Sequence, residues 1–225
     1  MKRIWLITNS LSDFYDISLI TANLNKRKFF SKKVKFISPK SNLFNDKNRF
    51  LKSLISSFLY IKNYSSRNIV LSFQANILAI VLSKVFSNKI IIRSNTAPSR
   101  YITNIFKKII FSLFFKLADR IIVNSNEFNK EFYKFFNIKP TTIYNPIENI
   151  SFLKKRANEK ISFKFFDKSK DILKIVSVGR LVDQKDHMTI LKAINEIKKK
   201  KKMKLCLIGK GVMKKKLEKF IKSNQ

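Results

Sequence analysis

Two cations flank a short turn at the end of an apolar run, in the segment VSVGRLVDQKDHMTI. Gly179 permits a close backbone approach at this turn, and Arg180 and Lys185 follow it. Asp183 or Asp186 can cap the helix that is expected to begin next. A helix N-terminus can bind a diphosphate together with two such cations, since Arg makes bidentate contacts and Lys supplies a point charge. Two solvated surface cations in a lysine-rich chain are the alternative interpretation.

Short apolar runs rich in β-branched residues alternate with amphipathic stretches along the chain. This alternation predicts an α/β fold with a doubly wound parallel sheet that is covered on both faces. Helical patterns are expected over 50–59 and 77–85. In the first part of the chain the predicted strands are 3–8, 34–38, 69–73, 89–94, 120–125 and 141–146.

The alternation lapses after Pro146 and then restarts. We expect a complete Rossmann-like domain over 1–148 and a connector or hinge over 149–171. The remaining residues, 172–225, are expected to be the first βαβα portion of a second domain, because two strands and two helices bury too little to form a whole one. Its predicted elements are strands at 172–178 and 203–208 and helices from about 186 to 200 and from about 212 to 223.

The composition excludes some classes of protein. A single cysteine excludes a disulfide framework and fits a reducing compartment. No apolar run approaches the roughly 20 residues of a membrane span, so cytoplasmic residence is predicted. The formal charge is +34, from 48 Lys+Arg against 14 Asp+Glu. Such a charge suits nucleic acid or an anionic membrane, but the cations are spread along the whole chain, and the abundance of Lys, Asn, Ile and Phe is typical of A/T-rich coding sequence.

An ordered set of motifs carries a resemblance to a known family. The segments VSVGRLVDQKDHMTILKAI and LIGKGVMKKKLEKFI resemble the opening of the donor domain in glycosyltransferase family 4, whose members have the GT-B fold. ADRIIVNSNEF and IYNPIE resemble the last strands of the acceptor domain. The family pattern is Gly-Arg-Leu-x-x-Gln-Lys followed by Gly-x-Gly, and its fixed positions are all present: Gly179, Arg180, Leu181, Gln184, Lys185, Gly209 and Gly211.

The resemblance implies a retaining transfer of a sugar from a nucleotide-sugar donor to a glycan or lipid-linked acceptor in surface polysaccharide assembly. It implies no metal and no other cofactor. The family's later Glu-x7-Glu element does not occur within 1–225, so these residues alone are expected to be inactive. Arg180 and Lys185 would stabilise the departing nucleoside diphosphate. The donor-binding residues would be Gly179, Arg180, Lys185, Gly209 and Gly211.

A second polar cluster follows the predicted strand at 89–94, in the segment IIIRSNTAPSR. Arg93, Ser94, Asn95 and Arg100 stand at a strand end, which is the edge where ligands bind in α/β sheets. They resemble a Ser-Glu-Arg-Asn turn of family members that build surface polysaccharide. They are candidate acceptor or cleft residues, and an ordinary βα turn is the alternative.

Residues 101–120, YITNIFKKIIFSLFFKLADR, combine a wide apolar helical face with several cations. A basic amphipathic helix rich in Phe can lie in an anionic membrane surface, which would place the protein at the inner face of the membrane. The alternative is a crossover helix that packs on the sheet.

Two other hypotheses belong to different classes. The chain could be a non-catalytic remnant of such an enzyme, or a basic protein that binds nucleic acid or an anionic surface. The last hypothesis predicts clustered cations with exposed aromatic residues between them. The sequence contains no such pattern, so no nucleic-acid partner is expected. His187, the sole histidine, is interpreted as a helix-start residue with ordinary hydrogen bonds.

Overall fold

The computed structural model describes residues 2–66, 68–147, 150–159, 163, 165 and 171–224. The chain forms two compact units, Met1–Ile150 and Ser151–Gln225. The described strands of both units lie in parallel sheets with helices between them, so the predicted α/β class is confirmed. Parts of the predicted connector at 149–171, namely 149, 160–162, 164 and 166–170, lie outside the described residues.

The first unit begins with a helix in place of an expected strand. Helix α1, Lys2–Leu11, covers the whole of 3–8, so the strand prediction there is wrong. A short apolar run is compatible with either structure, and only the later Leu11 places Ile4, Ile7 and Leu11 on one helical face. Asn9 fixes the helix, because its Nδ2 donates to the Phe29 carbonyl (3.1 Å) and its Oδ1 accepts from the Ser31 N–H (2.9 Å).

A two-stranded parallel sheet follows, made of β1, Ser18–Ile20, and β2, Lys35–Ile37. β2 lies within the predicted strand 34–38, whereas β1 was not predicted, since three residues are too few to show a period. The first strand of the chain lies near the centre of a doubly wound sheet. Because a helix stands at that place in the sequence, the β1–β2 pair is separate from the larger sheet.

The larger sheet of the first unit has four parallel strands in sequence order. All four lie within the predicted ranges: β3 Ile69–Ser72, β4 Lys89–Ser94, β5 Arg120–Val123 and β6 Thr141–Thr142. The helices are α2 Arg49–Lys62, α3 Asn76–Val85, α4 Ile105–Lys116 and α5 Asn126–Phe136. Right-handed crossovers between neighbouring strands put α3, α4 and α5 on the same face of this sheet.

The core of the first unit lies between this face and its helices. The rings of Phe115, Phe132 and Phe136 pack on one another with centroids 5.2–5.4 Å apart. Residues on the opposite face, such as Leu71, Ile91 and Ile122, are only half-buried. The buried core residues are Ile80, Ile90, Ile92, Phe115, Ile121, Val123, Phe132 and Phe136.

The second unit is a βαβα arrangement with a preceding helix. Helix α6, Ile150–Ala157, falls inside the predicted connector, so the first part of that segment is helical. The other elements match the prediction to within a few residues at their ends: β7 Leu173–Val178, α7 His187–Ile197, β8 Met203–Ile208 and α8 Lys214–Lys222. β7 and β8 pair in parallel over six residues each.

The core of the second unit is small. Leu181, Leu191 and Leu217 are buried between α7, α8 and the sheet. The opposite face of the sheet is largely open, since Val178 is 74% exposed and Ile208 47% exposed. The helices therefore cover only one face of the sheet in the described part of this unit.

Candidate functional site

The loops that follow β7 and β8 are joined by backbone hydrogen bonds. The Gly179 N–H donates to the Ile208 carbonyl (2.9 Å), and the Leu181 N–H donates to the Lys210 carbonyl (3.0 Å). The Leu181 carbonyl accepts in turn from the Met213 N–H (3.0 Å). These bonds continue the β7–β8 ladder past the end of both strands. The two loops consequently form one fixed structure at the carboxyl edge of the sheet, where α/β proteins bind ligands.

Two glycines in the second loop make this contact possible. A Cβ on Gly209 would lie 1.8 Å from the carbonyl oxygen of Gly179, and a Cβ on Gly211 would lie 2.2 Å from that of Leu181. Real atoms do not approach so closely, so the Gly-x-Gly pattern is required for the packing of the two loops. Gly179 is different, because a Cβ there would meet no atom closer than 3.6 Å.

The imidazole of His187 holds the first loop in place. It is the first residue of α7 and only 5% exposed. Its Nδ1 lies 3.3 Å from the Ser177 hydroxyl, and its Nε2 lies 3.3 Å from the Arg180 carbonyl oxygen. The imidazole thus bridges the strand and the loop, which confirms its interpretation as a helix-start residue with ordinary hydrogen bonds.

The two predicted catalytic cations lie on this fixed backbone. Arg180 and Lys185 are both exposed. Lys185 ends a 3-10 turn, Asp183–Lys185, directly before the N-terminus of α7, and its Cγ would lie 3.7 Å from a Cβ on Gly179. The stem of Lys185 therefore runs beside the end of β7. An anion at this edge would meet two accessible cations and a helix N-terminus.

Asp186 fixes the start of that helix. It caps α7 with a left-handed backbone (φ 44°), and its carboxylate accepts from the Thr189 hydroxyl (2.8 Å) and from the Thr189 N–H (3.4 Å). Asp tolerates this conformation better than most residues. The capping prediction thus holds for Asp186.

Arg93, a candidate cleft residue, is buried in the first unit and binds groups of that unit. It is only 4% exposed, and its Nη2 donates to the Ile143 carbonyl (2.9 Å) and to Asn145 Oδ1 (3.4 Å). Ile143 and Asn145 follow β6, so the guanidinium holds that segment against the end of β4. A buried charge requires such partners.

The other three candidates of this cluster divide between interior and surface. Ser94 is buried, and its hydroxyl donates to the Thr96 carbonyl (3.1 Å). Asn95 and Arg100 are exposed. Burial raises the pKa of the neighbouring Tyr101 hydroxyl, which therefore stays protonated. The structure thus leaves Asn95 and Arg100 accessible to an acceptor, while the role of the whole cluster stays a prediction.

Helix α4 has two apolar faces. Phe111 and Phe115 pack into the core of the first unit, as expected of a crossover helix. Most of the wide apolar face seen in the sequence points away from that core. Its exposed members are Ile105, Phe106, Ile109, Ile110, Leu113 and Leu117, with exposed fractions from 48% to 75%.

The described residues contain neither a cluster of metal ligands nor a membrane-spanning helix. Within the described part of the chain, no three His, Cys, Asp or Glu side chains come together in a group that could hold a metal ion. The described helices include none with both the length and the apolar character needed to cross a bilayer. That the reaction needs no metal stays a prediction.

Sequence reasoning assigned no structural role to two residues that build the site. Ser177 anchors the imidazole of His187, and the buried side chain of Leu181 fixes the first loop to the core of the second unit. A polar residue inside an apolar strand was the only signal for Ser177. For Leu181 the signal was its fixed place in the family pattern.

The chain is similar in sequence to known glycosyltransferases. Residues 158–225 match the family model of glycosyl transferases group 1. Over 154 residues the chain is 34% identical to the N-acetylgalactosamine-N,N'-diacetylbacillosaminyl-diphospho-undecaprenol 4-alpha-N-acetylgalactosaminyltransferase of Campylobacter jejuni, a match that covers 63% of this chain and 39% of the relative. It is 30% identical over 155 residues to an uncharacterized glycosyltransferase of Methanocaldococcus jannaschii, a match that covers 63% and 38%. The matched region spans about two fifths of these curated relatives.

Solved structures show the same fold. The crystal structure of Anabaena HepE in complex with UDP matches with a TM-score of 0.61 at 12% identity, over 99% of this chain and 62% of that one. The HepE complex with UDP and glucose matches with a TM-score of 0.55 at 12% identity, over 99% and 60%. The fold and the sequence matches agree with the motifs at the ends of β7 and β8. Residues 158–225 are therefore similar to the group 1 glycosyl transferases, and the chain shares the GT-B fold of the solved HepE structures.

Proposed function

We propose that the chain is the acceptor-side domain and the first part of the donor domain of a retaining glycosyltransferase that uses a nucleotide-sugar. The observation that carries this proposal is the pair of interlocked loops after β7 and β8, which hold Arg180 and Lys185 accessible beside the N-terminus of α7. The relatives named above support it, since both are glycosyltransferases and the solved HepE structures contain UDP.

In the proposed reaction the bond from the anomeric carbon to the phosphate oxygen breaks, and a bond to the acceptor hydroxyl oxygen forms. The hydroxyl proton leaves with the nucleoside diphosphate. Negative charge builds on the departing diphosphate, and Arg180 and Lys185 would stabilise it electrostatically. Each charge-assisted hydrogen bond of this kind contributes about 1.5–3 kcal/mol. No residue of this scheme requires a metal ion.

The proposed acceptor is a lipid-linked glycan at the cytoplasmic face of the membrane, in surface polysaccharide assembly. The name of the Campylobacter relative, which acts on a diphospho-undecaprenol compound, supports this acceptor class. The exposed apolar face of α4 would contact the membrane, with Lys108 and Lys116 on the same helix attracted to anionic lipids.

Titration of the chain with UDP, GDP and ADP tests the donor site. We expect at least one of the three to bind, and Lys185→Ala or Arg180→Ala to weaken it by about tenfold, or about 1.4 kcal/mol. Lys192→Ala, an exposed lysine on α7, is the matched control and should bind as the parent does. Equal nucleotide affinities for the parent and the three variants would contradict the proposal. In a protein with a complete donor domain, Lys185→Ala should also lower kcat at least tenfold, or by about 1.4 kcal/mol.

Cosedimentation with vesicles tests the membrane contact. We expect binding to phosphatidylserine vesicles that weakens when Phe106→Asp is introduced on the exposed face of α4. Tyr133→Asp, a similarly exposed aromatic residue on α5, is the control. Membrane binding that is equal in both variants would assign the contact to another surface.

A further inference from the structure

The first unit contains an open apolar groove. It has a volume of about 660 Å³ and lies between α2 and the segment that follows β2. This volume is in the range of small-molecule binding sites. Its apolar lining consists mainly of Phe36, Phe44, Leu54, Ile55, Phe58 and Leu59.

The groove lies at the edge of a sheet where ligands are usually bound. β2 ends at Ile37, and the next three residues, Ser38 to Lys40, line the groove. It therefore opens at the carboxyl end of a parallel strand. Water contacts part of the lining, since Leu54 is 43% and Phe58 63% exposed. An occupant with a hydrocarbon surface would remove this apolar area from water.

Charge restricts the class of occupant. Lys40 and Lys62 line the same groove, and both are exposed. A second copy of the chain is disfavoured, because each copy has a formal charge of +34 and two copies repel each other. An occupant that suits both the walls and the cations combines an apolar body with an anionic end.

The polar groups of the lining favour a hydrocarbon chain over a peptide. A bound peptide would bury backbone N–H and C=O groups that need hydrogen-bond partners. Besides the two lysines, the polar side chains of the lining are Ser38 and Asn63. The Asn63 amide already donates to the Leu59 carbonyl (2.9 Å). The walls thus offer little to a peptide backbone and a continuous surface to an aliphatic chain.

We propose that this groove binds the hydrocarbon chain of a single-chain lipid phosphate, with the phosphate at Lys40 and Lys62. The inference deepens the proposed function, because this lipid would be the carrier of the acceptor glycan. It assigns recognition of the carrier to α2 and the end of β2, separately from the donor site and from the exposed face of α4.

Direct binding of farnesyl phosphate to the chain, below the concentration at which it forms micelles, tests the proposal. We expect saturable binding that weakens at least tenfold in Phe58→Asp and by about tenfold in the double variant Lys40→Glu/Lys62→Glu. Phe14→Asp and Lys134→Glu change an exposed Phe and an exposed Lys that do not line the groove, and they should bind as the parent does. Farnesol should bind more weakly than farnesyl phosphate, and inorganic phosphate should not compete at equal concentration.

Three results would overturn the proposal. One is the absence of saturable binding, and another is equal binding by Phe58→Asp and Phe14→Asp. The third is binding to phosphatidic acid vesicles that depends on Phe58 and is stronger than the binding of farnesyl phosphate, which would assign the groove to the bilayer itself. Because this assay contains no nucleotide, its failure leaves the donor-site titration unaffected, and failure of that titration leaves this result unaffected.

Discussion

Arg93 and Arg180 both follow the apolar part of a parallel strand, yet the two units use them differently. Arg93 ends in the interior and holds the Ile143 carbonyl. Arg180 lies in solvent, while its backbone is fixed by His187. In the first unit the Arg93 guanidinium itself holds the edge of the sheet together. In the second unit backbone hydrogen bonds and His187 hold the loop, so the guanidinium of Arg180 stays accessible. A strand-end arginine is therefore a candidate ligand-binding residue only where other groups hold the loop.

The glycines of the second unit provide the strongest test of this difference. Gly209→Ala forces a Cβ against the Gly179 carbonyl, so we expect a loss of about 3 kcal/mol in the free energy of unfolding of the second unit. Gly179→Ala should change it by less than about 1 kcal/mol, because nothing lies within 3.6 Å of its Cβ. Urea unfolding followed by circular dichroism measures both. Similar losses in the two variants would show that the loops do not depend on this close approach.

The two arginines themselves should differ in the same way. Arg93→Ala leaves the Ile143 carbonyl without its charged donor and should lower the free energy of unfolding by about 2 kcal/mol. Arg180→Ala should change stability by less than about 0.5 kcal/mol. Trp5, the sole tryptophan, lies in the first unit, so its fluorescence during urea unfolding reports the Arg93 effect. A stable Arg93→Ala protein with weakened acceptor binding would instead place this residue in the cleft.

Part of this difference could be predicted from sequence. The apolar β-branched runs predicted β3, β4, β5, β7 and β8, since buried parallel strands show in the sequence as continuous apolar stretches. The family spacing placed Gly179, Arg180 and Lys185 in one turn. The burial of Arg93 could not be predicted, because it depends on the segment after β6, which lies far away in the chain. The close contact at Gly209 could not be predicted either, because the carbonyl oxygen that a Cβ would meet there belongs to another loop.

Helix α1 and helix α4 show a second limit of sequence patterns. The first apolar run is too short for its period to separate strand from helix. In α4 the residues form two apolar faces, and the sequence does not say which one the sheet covers. Phe111 and Phe115 face the core, because Phe111 packs on Tyr101 and Phe115 packs on Phe132. The wider face therefore remains exposed.

The residues that precede α3 and α7 allow a finer comparison of the two units. Ala75 and Asp186 both adopt left-handed backbone, with φ of 53° and 44°, but only Asp186 caps its helix with a side-chain hydrogen bond. Asp186→Ala should destabilise the second unit by about 1–2 kcal/mol, through loss of the cap and added strain. Ala75→Gly should stabilise the first unit by about 0.5–1 kcal/mol. Thermal unfolding checks both signs, and a destabilised Ala75→Gly protein would contradict the assigned backbone strain.

The smallest effect is expected at the amino edge of the larger sheet, where Asp119 fixes β4. Its Oδ2 accepts from the Ile90 N–H (2.7 Å) and from Lys84 Nζ (3.0 Å). The hydrogen bond from the Ile90 backbone, assisted by Lys84, lowers the pKa of Asp119. Because the folded pKa lies below the ordinary value of about 3.9, the stabilisation is complete above that value and is lost as the pH falls through the folded pKa. Asp119→Asn should therefore reduce the loss of stability between about pH 5 and pH 3, measured by Trp5 fluorescence in urea, and the effect should be small because the carboxylate is 39% exposed. An identical pH dependence in the parent and in Asp119→Asn would remove this carboxylate from the interactions that hold the sheet.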